Sequence, residues 1–449
     1  MNTLQNRLAD NREFTKALLL IALPMMGQEL LNTGVNLLDS VMVGQLSLGA
    51  VNGVGFANQI FFLLNVVMFG VNSGSAIFIG QYWGKKDPDS IRKVMGIAFS
   101  LNMAVAAVFG LCAFLMPQVL IGFFTRDPAS LAEGVRYIRI IAITYFIVAV
   151  TSCFNSALRS IGQPRFPMFT TLISLLCSGV LNYIFIFHLG WGVAGSATGT
   201  TIARVVELIA QQLLIRRYRL PVLGPLKEYF TATKAYLRDF FKLVLPVILN
   251  EAIWALGVSM YPVVYQLCGT EAQGAVQITS VVQNLFMVAG FGISAGCGVL
   301  LANLLGAGER ERAIAWSRKC LWLVTALGAV MCVLLLAVSP LILSFYHVSG
   351  AVKDSARVVM YVVALGVIIK TFNCTSIVGV LRSGGDTRYC LFLDLVSVWG
   401  IAVPLILFGA AVLRLPIHWV VALAYSEEVF KVYFSARRVR SNVWANCVV

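Results

Sequence analysis

The chain has 449 residues, of which 59% are hydrophobic and only 12% are charged, whereas about 25% of the residues in ordinary soluble domains are charged. A soluble protein of this length would need many more polar residues to cover its cores, so the composition excludes a soluble multidomain enzyme and indicates a chain solvated by lipid. The formal charge of +14 is spread over short clusters between long apolar segments, which favours membrane topology over nucleic-acid binding.

Twelve membrane-spanning helices are predicted, because a bilayer core about 30 Å thick needs roughly 20 apolar residues per helix. The first apolar run contains Pro24, Glu29 and Asp39 and no small-residue cleavage site, so it is predicted to be a retained helix and not a signal peptide. In chain order the predicted spans are 15–42, 50–82, 93–116, 131–156, 165–188, 193–215, 240–266, 274–304, 313–337, 353–379, 388–410 and 415–436.

Positive charge alternates between the loops. The loops on one side, together with both ends of the chain, hold 25 of the 34 lysines and arginines. The positive-inside rule assigns this side to the cytoplasm, which requires an even number of spans. The sequence therefore predicts a multi-pass protein of the cell membrane with both termini in the cytoplasm.

The two halves of the chain match each other at an offset near 222 residues. Since each half holds six spans, an even number, both halves enter from the same side and form parallel repeats. The predicted class is an all-α membrane protein with two six-helix lobes, 1–215 and 242–449, joined by a basic cytoplasmic linker at 216–241. Such lobes, facing each other across a cleft, suit alternating access. The matching positions are Pro24 and Pro246, Glu29 and Glu251, Gly70-x-x-x-Gly74 and Gly292-x-x-x-Gly296, and Leu158-Arg159-Ser160 and Leu381-Arg382-Ser383.

Motifs for nucleotide-driven or hydrolytic chemistry are absent from the sequence. The nearest string to a phosphate-binding loop, Gly80–Lys86, has the wrong spacing, and neither a zinc-protease motif nor a nucleophile elbow occurs. The histidines at 188, 347 and 418 fall near predicted helix ends, and the ten cysteines form no Cys-x-x-Cys. We therefore predict a protein that is not an enzyme, does not use ATP and carries no organic cofactor.

Ionisable residues inside the predicted spans are the main candidates for function, because each costs several kcal/mol unless it is paired, faces a bundle interior or marks a transport path. Asp39 lies towards the external end of span 1, with Asn32, Asn36 and Asn58 as candidate polar neighbours. It is interpreted either as a structural hydrogen-bond acceptor or as a cation-coupling carboxylate.

A second set of ionisable residues is predicted nearer the midplane. Glu251 in span 7 and Lys370 in span 10 have similar depth, and a structural ion pair of Lys370 with Glu251 or with Asp394 is an alternative to a transport role. Glu29 occupies the repeat position of Glu251 and is either functional or a relic of common ancestry. Arg204 and Glu207 lie three residues apart on one helix face and are predicted to neutralise each other; Glu427 and Glu428 are also interpreted as structural.

These groups suit proton or sodium coupling. A carboxylate in a low-dielectric environment favours its protonated form, so it can load and release a proton near neutral pH or exchange it for Na⁺. Negative charge and aromatic rings also attract organic cations. The predicted substrate-binding candidates are Glu29, Asn36, Tyr145, Trp254, Tyr261, Lys370 and Asp394.

Several motifs together resemble the multidrug and toxic compound extrusion (MATE) family, within the larger group that includes polysaccharide and lipid-linked flippases. The resemblance implies an antiporter that exports small organic cations or amphipathic drugs across the lipid bilayer in exchange for H⁺ or Na⁺. The motifs are Leu23-Pro24 with Asp39-x-x-Met42-Val43-Gly44, Leu245-Pro246 with Glu251, Gly306-Ala-Gly308-Glu309-Arg310, Leu381-Arg382-Ser-Gly-Gly385-Asp386-Thr387, and Gly192-x-x-Gly195-x-Ala197-x-x-Thr200.

The same resemblance implies an ion-coupling set of Asp39, Asn182, Thr200 and Glu251, with Na⁺ at Asp39 as the one metal ion. Asn182 stands where some members have a second acid, and Lys370 and Asn373 replace an acid in span 10, so that Lys370 beside Glu251 is an alternative to a bound cation. The main alternative function is a flippase or exporter of a lipid-linked or anionic substrate on the same scaffold; a channel is a third.

Overall fold

The computed structural model describes residues 2–345 and 349–449, and His347 lies outside them. The described residues form helices joined by short loops. The helices are α1 Asn2–Gly44, α2 Leu48–Gly84, α3 Pro88–Leu115, α4 Pro117–Gly122, α5 Pro128–Ser160, α6 Arg165–Tyr183, α7 Gly192–Arg217, α8 Leu226–Tyr229, α9 Lys234–Tyr265, α10 Thr270–Gly306, α11 Arg310–Phe345, α12 Gly350–Cys374, α13 Thr387–Asp394, α14 Val403–Leu407, α15 Ile417–Ala424 and α16 Ser426–Arg440.

Wider π-helical turns extend four of these helices. They follow α6, α12, α13 and α14, and a short 3₁₀ turn follows α9 and another precedes Gly385. Helices α13 and α14 with their π turns make one continuous helical stretch. Segments of π-helix are rare and often occur near functional sites. The π turns are Ile184–His188, Thr375–Leu381, Leu395–Ala402 and Phe408–Val412.

Ten helical stretches in the described part of the chain are long and apolar enough to cross a membrane. The other two predicted spans correspond to α7 and to the pair α15–α16. Both carry ionisable side chains, among them Arg204 and Glu207 in α7 and Lys431 in α16, which lower their hydropathy. The predicted all-α, multi-pass membrane class is confirmed.

The chain divides into two compact units. Unit 1 joins the chain up to Met26 to Leu243–Val449, and unit 2 is Gly27–Lys242. Helix α1 changes unit two residues after Pro24, a residue that removes a backbone hydrogen bond from a helix interior. The predicted lobe boundaries at 215 and 242 stay a prediction.

Unit 1 is held together around the N-terminal part of α1. Phe14 meets Trp316 edge to face with ring centroids 5.3 Å apart, and Leu18 is 1% exposed within the same apolar core. A Cβ at Gly292 would lie 2.9 Å from the backbone nitrogen of Met26, and one at Gly296 would lie 3.2 Å from the Ala22 Cβ. The predicted small-residue pair in α10 thus lets α1 approach closely.

Unit 2 packs α2 against α5 and α6 against α7. Leu64 and Tyr145 are completely buried in its core. Gly53 and Gly134 bring α2 and α5 into backbone contact, since a Cβ at Gly53 would lie 2.5 Å from the Gly134 nitrogen. At the other contact, Gly195 of α7 lies against the backbone of Phe185. Close backbone approach again depends on residues without side chains.

The linker between the halves is docked on unit 2. Arg92 of α3 donates to the Pro221 carbonyl at 3.0 Å and pairs with Glu228. Tyr229 donates to the Val222 carbonyl at 2.6 Å, and its own carbonyl oxygen would lie 1.7 Å from a Cβ at Gly96. The stretch around α8 is therefore fixed against α3.

Candidate functional site

Asp39 lies in a cradle of neutral hydrogen-bond donors. Its Oδ1 accepts from the Asn182 amide at 2.7 Å and from the Ser178 hydroxyl at 3.5 Å, and its Oδ2 accepts from the Thr200 hydroxyl at 3.5 Å. Ser178 and Asn182 lie one turn apart on α6, and Thr200 lies on α7. The structure thus brings together the predicted set of Asp39, Asn182 and Thr200.

The Asn182 side chain fills a space on α7 that exists because Gly199 has no side chain. Its side chain is completely buried, and a Cβ at Gly199 would lie 2.1 Å from its Oδ1. That oxygen has no hydrogen-bond partner among the described residues. Buried polar atoms are usually paired, so this unused acceptor beside Asp39 is a feature that a bound proton or cation would satisfy.

The polar neighbours predicted for Asp39 within α1 and α2 are not those that the structure supplies. In the described part of the chain, no hydrogen bond joins Asp39 to Asn32, Asn36 or Asn58. Asn36 is exposed, and its backbone carbonyl accepts from Ser40 at 2.7 Å. The Asp39 carboxylate instead accepts hydrogen bonds from residues of α6 and α7.

Unit 2 also contains a chain of polar side chains, of which Glu207, Thr171 and Gln28 are buried. Arg204 pairs with Glu207 at 2.8 Å, as predicted from their spacing. Glu207 accepts from Thr171 at 3.4 Å, and Thr171 accepts from Gln28 at 3.5 Å. The next residue, Glu29, pairs with Arg159 at 3.8 Å.

Glu251 of unit 1 is buried and paired. Its Oε1 accepts from Arg382 at 2.5 Å, and Arg382 also donates to Asn250. The Asn250 amide donates to Asp394 at 2.7 Å. The predicted coupling acid of the second half thus has a resident guanidinium as its counter-charge, while its role in ion coupling stays a prediction.

Lys431 of α16 lies between two further acids. Its ammonium contacts Asp394 at 2.9 Å and Glu427 at 3.3 Å, and its side chain is 4% exposed. The neighbouring Glu428 accepts from the Asn373 amide at 2.7 Å. Unit 1 therefore contains a continuous buried network that runs from Glu251 to Glu427.

Within its described residues, the structure does not show the alternative ion pairs of Lys370 with Glu251 or Asp394. Glu251 pairs with Arg382 and Asp394 pairs with Lys431, and the described ion pairs do not include Lys370. Sequence alone gives the depth of a residue along a span but not the direction in which its side chain points around the helix axis. Lys370 has the depth of these acids, but Arg382 and Lys431 are the residues that contact them.

The aromatic candidates occupy different environments. Tyr145 is completely buried and stacks on Phe61 with centroids 5.7 Å apart. Tyr261 is partly buried against the core of unit 1, 6.4 Å from the ring of Tyr265, and Trp254 is also partly buried. Tyr145 therefore packs as a core residue here, and substrate contact by Tyr261 and Trp254 stays a prediction.

Sequence reasoning missed the parts played by Ser178, Asn250, Arg382 and Lys431. Ser178 precedes Asn182 by one turn, a spacing that would have placed both on one face. Arg382 recurs in the repeat at the position of Arg159, and this recurrence is a signal that could have identified it. Lys431 lies within the predicted span 415–436, four residues after Glu427, a spacing that places both on one helix face.

A family model for MatE matches residues 24–184 and 246–408. The two matched segments begin 222 residues apart, which agrees with the internal repeat read from the sequence. Similar proteins include an uncharacterised transporter, YisQ, of Bacillus subtilis, 25% identical over 415 residues and covering 90% of each chain. A probable multidrug resistance protein NorM of Thermotoga maritima is 25% identical, over 87% of this chain and 85% of its own.

The similarity extends to an animal protein and to solved structures. Multidrug and toxin extrusion protein 1 of rabbit (Oryctolagus cuniculus) is 25% identical over 96% of this chain and 76% of its own. The fold matches the outward-facing structure of a multidrug resistance MATE family transporter with a TM-score of 0.86 at 17% identity, over 96% of each chain. It also matches the bent form of VcmN of Vibrio cholerae with a TM-score of 0.87 at 16% identity, over 98% of this chain and 100% of that one. The chain belongs to the MATE family of membrane transporters.

Proposed function

We propose that the chain is a secondary antiporter that exports small cationic or amphipathic compounds in exchange for inward H⁺ or Na⁺, with Asp39 as the coupling carboxylate. The observation that carries the proposal is the difference between Asp39 and two other acids away from the span ends in unit 2, Glu29 and Glu207. Glu29 and Glu207 each have an ion pair, whereas none within 4 Å is found for Asp39 among the described residues.

The chemistry of the cradle supports exchange at this acid. Three neutral donors stabilise the carboxylate without fixing it in the charged state, and the hydroxyls of Ser178 and Thr200 can donate or accept. A proton on Asp39, or Na⁺ among these oxygens, would change the hydrogen bonds that join α1 to α6 and α7. We propose that this change repacks the second part of α1 and lowers the affinity of unit 2 for its substrate, so that ion entry and substrate release are linked.

The names of relatives in several organisms point to the same activity, since they refer to multidrug resistance and toxin extrusion. A flippase of an anionic substrate would need free basic groups within the spans. Arg204, a basic residue within a span of unit 2, is paired with Glu207 at 2.8 Å. These observations favour an exporter of cations over the flippase alternative.

The test is efflux of ethidium from proteoliposomes with pH and Na⁺ gradients imposed separately. We expect one gradient to drive saturable efflux by the wild type, and Asp39→Asn to abolish it. Asp354→Asn is the matched control, since this acid is 76% exposed and lies outside the cradle. Full gradient-driven efflux in Asp39→Asn would overturn the role of Asp39. No efflux under either gradient would overturn the antiporter and direct the assay to lipid-linked substrates.

A further inference from the structure

The buried network of unit 1 contains more acid than base. Four carboxylates, those of Glu251, Asp394, Glu427 and Glu428, are at most 9% exposed, and two cations, Arg382 and Lys431, lie among them. Arg382 is occupied by Glu251 and Asn250. Lys431 therefore supplies the positive charge next to Asp394 and Glu427, which are 2.9 and 3.3 Å from its ammonium.

The repeat shows which features of this network are particular to unit 1. Asn250 and Asp394 match Gln28 and Thr171 of unit 2 at offsets of 222 and 223, and the same amide-to-oxygen hydrogen bond joins each pair. The common path of side chains is therefore present in both halves, but a neutral hydroxyl in unit 2 stands where unit 1 has a carboxylate.

The charges on the following helix differ in the same way. Glu427 matches Arg204 at an offset of 223, and Lys431 matches Glu207 at an offset of 224. In unit 2 the Arg204–Glu207 pair lies beside the neutral Thr171, whose hydroxyl donates to the Glu207 carboxylate at 3.4 Å. In unit 1 the order of charge is reversed, and the base lies towards Asp394. A lysine thus occurs at the helix position that faces the added carboxylate.

We propose that the Lys431 ammonium is a built-in counter-cation, which occupies the place that a soluble monovalent cation would otherwise take between Asp394 and Glu427. A buried carboxylate pair without a cation is strongly unfavourable, and a covalently attached ammonium permanently supplies one positive charge between the two acids. Lys431 thereby keeps these two acids of unit 1 from taking up the coupling ion. The inference rests on the proposed function only in assigning ion uptake to unit 2.

The test measures ion binding in the absence of the Asp39 site. All variants carry Asp39→Asn and are purified in NaCl, so that Na⁺ is present as the chain folds, and ²²Na⁺ binding is then measured by equilibrium dialysis. We expect essentially no Na⁺ binding by Asp39→Asn alone. Adding Lys431→Met should give about one bound ion per chain, because Asp394 and Glu427 then lack the ammonium between them. Lys431→Arg is the matched control that keeps the charge, and adding Glu427→Gln to Lys431→Met should abolish the binding.

Two results would overturn the inference. One is that the Lys431→Met protein binds no Na⁺, and the other is that the protein that retains Lys431 binds as much Na⁺ as the Lys431→Met protein. If Lys431→Met does not yield folded protein, Lys431→Gln is measured by the same criteria. Because the readout is Na⁺ binding without Asp39, it is independent of ethidium efflux. Failure of antiport in the wild type and failure of this inference are therefore distinguishable.

Discussion

The Asp39 carboxylate accepts a 2.7 Å hydrogen bond from the amide of Asn182, a side chain with no exposed surface. This bond joins α1 to α6, and its geometry depends on α7 because Gly199 leaves the space that Asn182 fills. The contacts of Asp39 and Asn182 thus involve three helices, α1, α6 and α7.

Gly199→Ala should separate Asn182 from Asp39 without removing either group. The new Cβ would lie 2.1 Å from the Asn182 Oδ1, so the amide must move. A displacement of this size in a positioned group commonly reduces rates by about 10-fold to 100-fold. We expect ethidium efflux to fall in that range. Gly55→Ala, where the added methyl meets nothing within 4 Å, should retain wild-type efflux; equal activity in both variants would contradict the role assigned to Asn182.

The two repeat-related ion pairs should contribute unequally to stability. Glu251 and Arg382 are 2.5 Å apart with side chains 11% and 5% exposed, whereas Glu29 and Arg159 are 3.8 Å apart with side chains 41% and 26% exposed. Removing one partner of a buried pair costs about 3–5 kcal/mol because the other charge is left uncompensated. A partly exposed pair is worth about 1 kcal/mol or less.

Thermal unfolding of the purified protein measures this difference. Arg382→Gln should lower the melting temperature clearly, and Arg159→Gln should change it little. Adding Glu251→Gln to Arg382→Gln removes the uncompensated charge and should restore part of the loss. Equal shifts in the two single variants would show that burial does not set the strength of these pairs.

These pairs also show what could be predicted from sequence. Hydropathy, loop charge and the repeat predicted the helical class and the equivalence of the two halves, because these patterns depend on composition and spacing along the chain. They did not predict that Glu251 meets Arg382, 131 residues away, since a helix can present a residue in any direction around its axis. The partners of Asp394 could not be predicted for the same reason.

The Asp39 site was predictable in part. Asn182 and Thr200 entered through resemblance to a family, and the structure brings both to the carboxylate. Ser178 was not predicted, although it precedes Asn182 by one turn. The role of Gly199 could not be predicted, because only the packed structure shows that a side chain from α6 fills the space where its Cβ would be.

The substitution Gly96→Ala should break the contact between the linker and α3. The new Cβ would lie 1.7 Å from the carbonyl oxygen of Tyr229, and backbone at this distance must move away. We expect trypsin to cleave after Arg219 or Lys227 several times faster than in the wild type, as measured by mass spectrometry of inside-out vesicles. Gly274→Ala, with nothing within 4 Å of its new methyl, serves as the control. Unchanged cleavage would show that the α3 contact does not hold the linker.

The predicted cytoplasmic position of the C-terminus can be tested with a natural cysteine. Cys447 is exposed and follows Trp444, which is completely buried in unit 1. If the positive-inside assignment is correct, a membrane-impermeant maleimide should label the protein in inside-out vesicles but not in intact cells. Cys447→Ser identifies the contribution of this thiol, because other cysteines are also partly exposed. Labelling of Cys447 in intact cells would place the C-terminus outside and reverse the predicted orientation, since the basic loops would then face the external solution.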